Sequence, residues 1–272
     1  MDEKIKDTKA LRVFLALTIP ISIIWEVIYI IYPNSLFMLL LMWTPGIAGI
    51  ITSQVYYKKK NALGIRRGKI RYILAGIFIP IIYLGVSYGI SWCVLKDTTI
   101  GIDELAITMG YQADTGIPVM GYIVIAIVIG MCSSCISALG EELGWRGFMY
   151  PVMERVIGRK KALLSGGVIW ALWHMPIMIA GMYQAETQLV YGLLMFTVEA
   201  ILVNIIMAWL RITSNSLIPV LFVHASHNLF DQMVFQPMST EKYVPYLAGE
   251  QGFITIFILT AIVGGCSLGL EI

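Results

Sequence analysis

Residues 140–151 read GEELGWRGFMYP, which sets Glu141, Glu142 and Arg146 in the most hydrophobic half of a chain that otherwise avoids charge. Helical geometry separates the glutamates. Glu142 and Arg146 are four apart and share a face, with the acid on the N-terminal side, the better orientation for such a pair. Pairing offsets part of the desolvation cost of both groups. Glu141 lies about 100° round the helix from Glu142, and its own turn neighbours are Gly144 and Trp145. Glu142–Arg146 therefore reads as a brace and Glu141 as a reactive group. The chain has three histidines. His174 stands in SGGVIWALWHMPIMIAG, and His224 and His227 stand in LIPVLFVHASHNLFDQ. His224 and Asn228 are four apart on one face, and His227 lies near it. A carboxylate, two imidazoles and an amide on separate apolar segments are a poor recipe for stability and a reasonable one for activating water.

These residues need elements to carry them. The chain has 272 residues, 58% hydrophobic and 13% charged, against roughly 25% charged in soluble domains. Crossing a bilayer core takes about 20 mostly apolar residues per helix. Eight segments qualify: 11–32, 35–57, 72–95, 117–147, 162–182, 189–210, 214–235 and 251–270. The fold class predicted is all-α, a polytopic membrane protein of about eight transmembrane helices with an intramembrane polar cavity. It is read as one integral-membrane unit over 1–272, with a motif-bearing core at about 117–235. The first span lacks a signal peptide's short apolar core and cleavage site, and is read as retained. Ionisable groups inside spans usually face the bundle interior or a water-filled cavity. Glu26 and Glu199 are further examples to which the sequence gives no role. His227 has Asp231 at its own i+4 position, so either a His227–Asp231 contact or packing of His227 against a neighbouring span is expected. Cys132 and Cys135 form CSSC inside the fourth span, without the second pair that a zinc or redox site needs. They read as small residues at a helix contact.

Lys and Arg in short loops set orientation. The basic residues of the N-terminus, of YKKKNALGIRRGKIR, of MERVIGRKKA and at Arg211 fall on one side if eight spans alternate. Asp97, Asp103, Glu104, Asp114, Glu241 and Glu250 fall on the other. Both termini are then expected in the cytoplasm, with the plasma membrane as the location. A net charge of +2 gives no reason to expect a nucleic-acid partner.

Three fragments together resemble the CAAX protease and bacteriocin-processing (CPBP, or Abi) family of intramembrane endopeptidases, which includes the CAAX prenyl endopeptidases. The family's EExxxR is here Glu141-Glu142-Leu143-Gly144-Trp145-Arg146. Its aromatic-xxx-His is Trp170 to His174, where phenylalanine is usual at the first position. Its HxxxN is His224 to Asn228. Order and approximate spacing match over 141–228, and the extra His227 departs from the pattern. The resemblance implies hydrolysis of a peptide bond within the membrane plane by a metal-free, glutamate-dependent route. In it Glu141 with His174 activates water, His224 with Asn228 stabilises the oxyanion, and Glu142 with Arg146 orients the site. It implies a membrane-associated peptide or protein substrate, lipidated or amphipathic, met in the lipid bilayer, and no cofactor.

Other readings compete. Zinc accepts His and carboxylate ligands with one position open, so Glu142, His174 and His224, or His227, could form a zinc protease site, although HExxH is absent. An ion or proton transporter would also use intramembrane Glu and His, but the sequence lacks paired broken helices or two-half symmetry. A non-catalytic membrane scaffold is the third reading, and the intact set Glu141, His174, His224 and Asn228 argues against it.

Overall fold

Lipid offers backbone N–H and C=O groups no partner, so spanning segments satisfy themselves as helices. The computed structural model of the chain describes residues 3–58, 63–96 and 99–270; Lys59, Lys60 and Asp97 of the charge pattern lie outside the described residues, as does the Cys266 side chain. The chain opens with α1 (Glu3–Ile31), α2 (Ser35–Tyr56) and α3 (Ile70–Leu95). A short α4 (Ile102–Thr108) and a 3-10 turn (Ala113–Thr115) carry the exposed Asp103, Glu104 and Asp114. One continuous helical path then joins α5 (Val119–Glu142), a π-helical segment (Leu143–Met149) and α6 (Tyr150–Ile157). After it come α7 (Arg159–Ile179), α8 (Leu189–Ser214) and α9 (Ile218–Leu229). A second π-helical segment (Phe230–Phe235) and α10 (Gln236–Met238) prolong α9. α11 (Val244–Leu247) and α12 (Phe253–Leu270) follow. Among the described residues the β-structure is one isolated bridge, Thr99 to Ser239.

Among the described residues six helical stretches are long and apolar enough to cross a membrane: α1, α2, α3, Val119–Ile157, α7 and α8. The seventh expected span is a short α9 lengthened by its π segment, and the eighth is a shorter apolar helix, Phe253–Gly265 of α12. The fourth continues past its expected end at 147, through the π segment and Pro151, to Ile157. The flanks carry exposed apolar side chains such as Ile24, Ile82, Ile129 and Phe257, as a lipid-facing surface requires. Cys132 and Cys135 are free thiols, and Cys135 packs beside Ala138 and Ala225 where α5 meets α9.

Helices in lipid gain little from hiding apolar surface from one another, so small residues that admit close backbone approach set their packing. α2 is pressed onto the 140–148 stretch in this way. A Cβ on Gly46 would lie 2.3 Å from the Gly140 carbonyl oxygen, and one on Gly144 would lie 2.4 Å from the Pro45 carbonyl carbon. The Trp43 indole adds a hydrogen bond to the Ile136 carbonyl at 3.0 Å. The glycines of GEELG thus let α2 seat the helix that bears both glutamates. Overpacking a tight contact costs about 1–3 kcal/mol. Gly144→Ala should therefore lower the melting temperature in detergent. Gly89→Ala, whose added methyl meets open space in α3, should hold or raise it through helix propensity.

Candidate active site

The carboxylates of Glu141 and Glu142 sit in the last turn of α5, where the helix passes into its π segment. Such π turns inside α-helices are frequent at functional sites. Glu142 and Arg146 are both 0% exposed and paired at 2.8 Å through Oε1 and Nη1. The same Glu142 oxygen lies 2.8 Å from His224 Nδ1. The brace therefore ties the first motif to the third as well as holding Arg146. Arg146 reaches further. Its Nε donates to Asn204 Oδ1 at 3.1 Å, and its guanidinium stands 4.1 Å from the centre of the Trp170 ring. Asn204 in turn donates to the Leu163 carbonyl at 2.7 Å. Glu142 Oε2 and Arg146 Nη2 have no hydrogen-bond partner among the described residues.

Glu141 is held by neutral donors alone. Trp170 Nε1 donates to its Oε2 at 2.8 Å and Trp145 Nε1 at 3.3 Å. His174 Nδ1 lies 2.9 Å from the Trp170 carbonyl oxygen. A carbonyl only accepts, so Nδ1 carries the proton and Nε2 presents a lone pair. By the same argument His224 Nδ1 donates to Glu142. Neither Nε2 has a hydrogen-bond partner among the described residues. His174 is packed among the rings of Trp173, Tyr183 and Phe196. Trp170 meets His224 edge-on, its ring centroid 5.5 Å away.

Glu141, His174, His224 and Asn228 line one cavity of about 270 Å³. Asn228 is half-buried there, and its side chain makes no hydrogen bond among the described residues. Tyr29, Met38, Leu41 and Met42 of α1 and α2 give the cavity an apolar side. A carboxylate, an imidazole with a free lone pair, and an imidazole and amide aimed into the same space can polarise a water molecule and meet a developing negative charge.

Two site residues escaped the sequence reading. Trp145 stands there only as a turn neighbour of Glu141 and Trp170 only as the aromatic of the second motif, yet both indoles hydrogen-bond Glu141. The available signal was the i+4 spacing of Glu141 and Trp145. Glu250 was placed in an acidic loop. It is 2% exposed instead, because Gly249, at φ +78°, turns it under α12 and into the cavity. Of the two roles expected for His227, packing against a neighbouring span is met, at Tyr83 of α3, and the hydrogen bond to Asp231 is not formed. His227 Nδ1 meets the Tyr83 hydroxyl and Nε2 lies 3.3 Å from Glu250 Oε1, while Asp231 accepts from Tyr88 at 2.8 Å. The i,i+4 expectation assumed α geometry, which ends at Leu229.

Residues 123–230 match the family model described as Type II CAAX prenyl endopeptidase Rce1-like. The CAAX prenyl protease 2 of Methanococcus maripaludis is 26% identical over 163 residues, 57% of this chain and 56% of that protein. The match thus spans little more than half the length of that curated relative. The matched family segment contains Glu141, Glu142, Arg146, His174, His224 and Asn228.

The geometry separates the two glutamates by stability. Glu142→Gln leaves Arg146 buried without its counter-charge, and breaking a buried pair costs about 3–5 kcal/mol. Glu141→Gln keeps an amide oxygen that still accepts from both indoles, so its cost should stay near 1 kcal/mol. Thermal melting of the two variants in detergent checks this, and equal losses would contradict the division.

Proposed function

We propose that this member of the CAAX protease family is an intramembrane endopeptidase. Its substrate is a membrane-associated peptide or protein, and it attacks the scissile bond with a water activated by Glu141 and His174. The observation that carries the reading is the meeting of Glu141, His174, His224 and Asn228, from α5, α7 and α9, in one cavity. His174 Nε2 accepts a hydrogen bond from the water and orients it. Glu141 takes the water's proton as its oxygen attacks the carbonyl carbon. His224, protonated at both nitrogens with Nδ1–H on Glu142, and the Asn228 amide donate to the carbonyl oxygen as it becomes an oxyanion. When the C–N bond breaks, Glu141 returns the proton to the leaving amine. The two indoles fix the carboxylate without neutralising it, which leaves it free to act as a base.

Zinc on Glu142, His174 and His224 fits these residues poorly. Glu142 Oε1 already serves Arg146 and His224, so a dication there would stand against a buried guanidinium. The metal-free route needs no rearrangement of these contacts.

The apolar side of the cavity suits a lipidated or amphipathic substrate. The relative named a CAAX prenyl protease adds a prenylated C-terminal peptide to the substrates worth testing first. The charge pattern of the loops supports both termini on the cytoplasmic side of the plasma membrane.

Cleavage of such peptides in liposomes, compared between wild type and Glu141→Gln, tests the proposal. Glu141→Gln should abolish turnover while melting near wild type, and a fully active variant would refute the role of Glu141. Removing an oxyanion donor typically costs about 10²–10³ in kcat. His224→Ala should fall in that range with KM little changed, whereas His227→Ala, whose ring contacts Tyr83 and Glu250, should lose far less. If His227→Ala proves to be the dead variant, the oxyanion role has been assigned to the wrong histidine.

A further inference from the structure

A second cluster that the proposed reaction does not use borders the cavity. His227 of α9, Asp231 of the π segment after it and Glu250 of the turn before α12 each offer one ligand atom, all within 4.8 Å of one another. All three are buried. Glu199 of α8 lines the cavity beside them, with Oε1 3.9 Å from His227 Nε2. That oxygen is buried and has no hydrogen-bond partner among the described residues. Asp231 and Glu250 lie beyond the 123–230 segment that matches the family model.

We propose that His227, Asp231, Glu250 and Glu199 bind a divalent cation of the zinc or manganese class, separately from Glu141, His174 and His224. Charge is the first argument. Among the described residues no Lys or Arg forms an ion pair with any of these carboxylates; the ion-pair partner of Glu199 and Glu250 is His227 alone. Buried acids without a basic partner lower their charge by holding protons, and a dication can take the place of those protons. Geometry is the second. Metal–ligand bonds near 2.1 Å put tetrahedral ligand atoms about 3.4 Å apart. His227 Nε2 already stands 3.3 Å from Glu250 Oε1 and 3.9 Å from Glu199 Oε1. Orientation is the third. Tyr83 bonds His227 Nδ1, Tyr88 donates to Asp231 at 2.8 Å, and Tyr183 donates to Glu250 at 2.6 and 2.7 Å. Each of three ligands is thus aimed by its own tyrosine, as the outer partners of metal-binding His and carboxylates do. An imidazole with carboxylates suits Zn²⁺ or Mn²⁺ among the common ions. On binding, Nε2 gives the proton it shares with Glu250 to solvent and turns its lone pair to the metal, while Nδ1–H donates to the Tyr83 oxygen. The ion would tie α8 and α9 to the turn that enters α12.

The test uses the full-length protein in detergent, stripped with chelator and titrated with Zn²⁺, or with Co²⁺ as a spectroscopic probe. Wild type and the Glu141→Gln variant should each retain one metal per chain after desalting, give the Co²⁺ absorption of a tetrahedral site and melt higher with metal. Because Glu141→Gln needs no turnover to bind, the result stands apart from the protease reading. Glu199→Gln should weaken binding at least tenfold. His227→Gln should lose the metal-induced shift. Absence of stoichiometric metal on wild type at millimolar Zn²⁺ would overturn the proposal. So would binding that survives Glu199→Gln and His227→Gln but is lost in Glu142→Gln or His224→Ala.

Discussion

Glu142 Oε1 accepts from Arg146 Nη1 and from His224 Nδ1 in a place where acid and guanidinium have no solvent exposure at all. Nothing there replaces water for a stranded charge, so each member depends on the others. Through Arg146 the same centre reaches Asn204 of α8 and the Trp170 ring of α7, and through His224 it reaches α9. Side chains on four helices are thus fixed by one ionic contact and its branches. Replacing a buried pair by apolar residues is often neutral or stabilising, so the contact is better understood as setting register than as adding stability. With that register the space between α5, α7 and α9 becomes a polar cavity.

The apolar packing around this centre shares its logic. Gly167 lets α8 approach α7, where a Cβ would lie 2.6 Å from Ile201 Cα. Gly76 lets α9 approach α3, where a Cβ would lie 2.4 Å from the Pro219 carbonyl oxygen. Together with the contact of α2 on the 140–148 stretch, the helices that carry the site are each held by a neighbour at backbone distance. Indole N–H groups supplement this. Trp173 donates to Ser22 of α1 at 2.7 Å, and Trp43 donates to the Ile136 carbonyl of α5 at 3.0 Å. An indole is well suited to the task, because its ring packs against apolar neighbours while a single donor finds an acceptor.

Much of this was legible in the residues alone. Lengths of apolar sequence gave the helices, because lipid leaves the backbone no alternative. The i+4 spacing of Glu142 and Arg146 gave the pair itself. What it concealed was the third partner, since a contact across 82 positions leaves no trace in local spacing. Trp170 stood in the second motif without a role of its own for a related reason. Its ring explains its presence as packing, and only the position of Glu141 reveals that the N–H is used. Glu250 was misplaced because a loop residue between apolar segments is normally solvated, and a positive-φ glycine that folds it inward cannot be told from any other turn glycine. The π segments left no sequence mark, and with them went the true partners of His227 and Asp231.

Those two π segments have a bearing on how chains of this kind are compared. A π turn amounts to one extra residue inserted into an α-helix, so everything beyond it is rotated by roughly 100° from where an uninterrupted helix would point. A helical wheel drawn straight through Val119–Ile157, or through 218–238, misassigns every face beyond Met149 and beyond Phe235. A homologue without the extra residue would need a one-position gap at each segment for its inward-facing side chains to line up. Gap placement at Leu143–Met149 and Phe230–Phe235 thus carries structural information that residue identity alone does not.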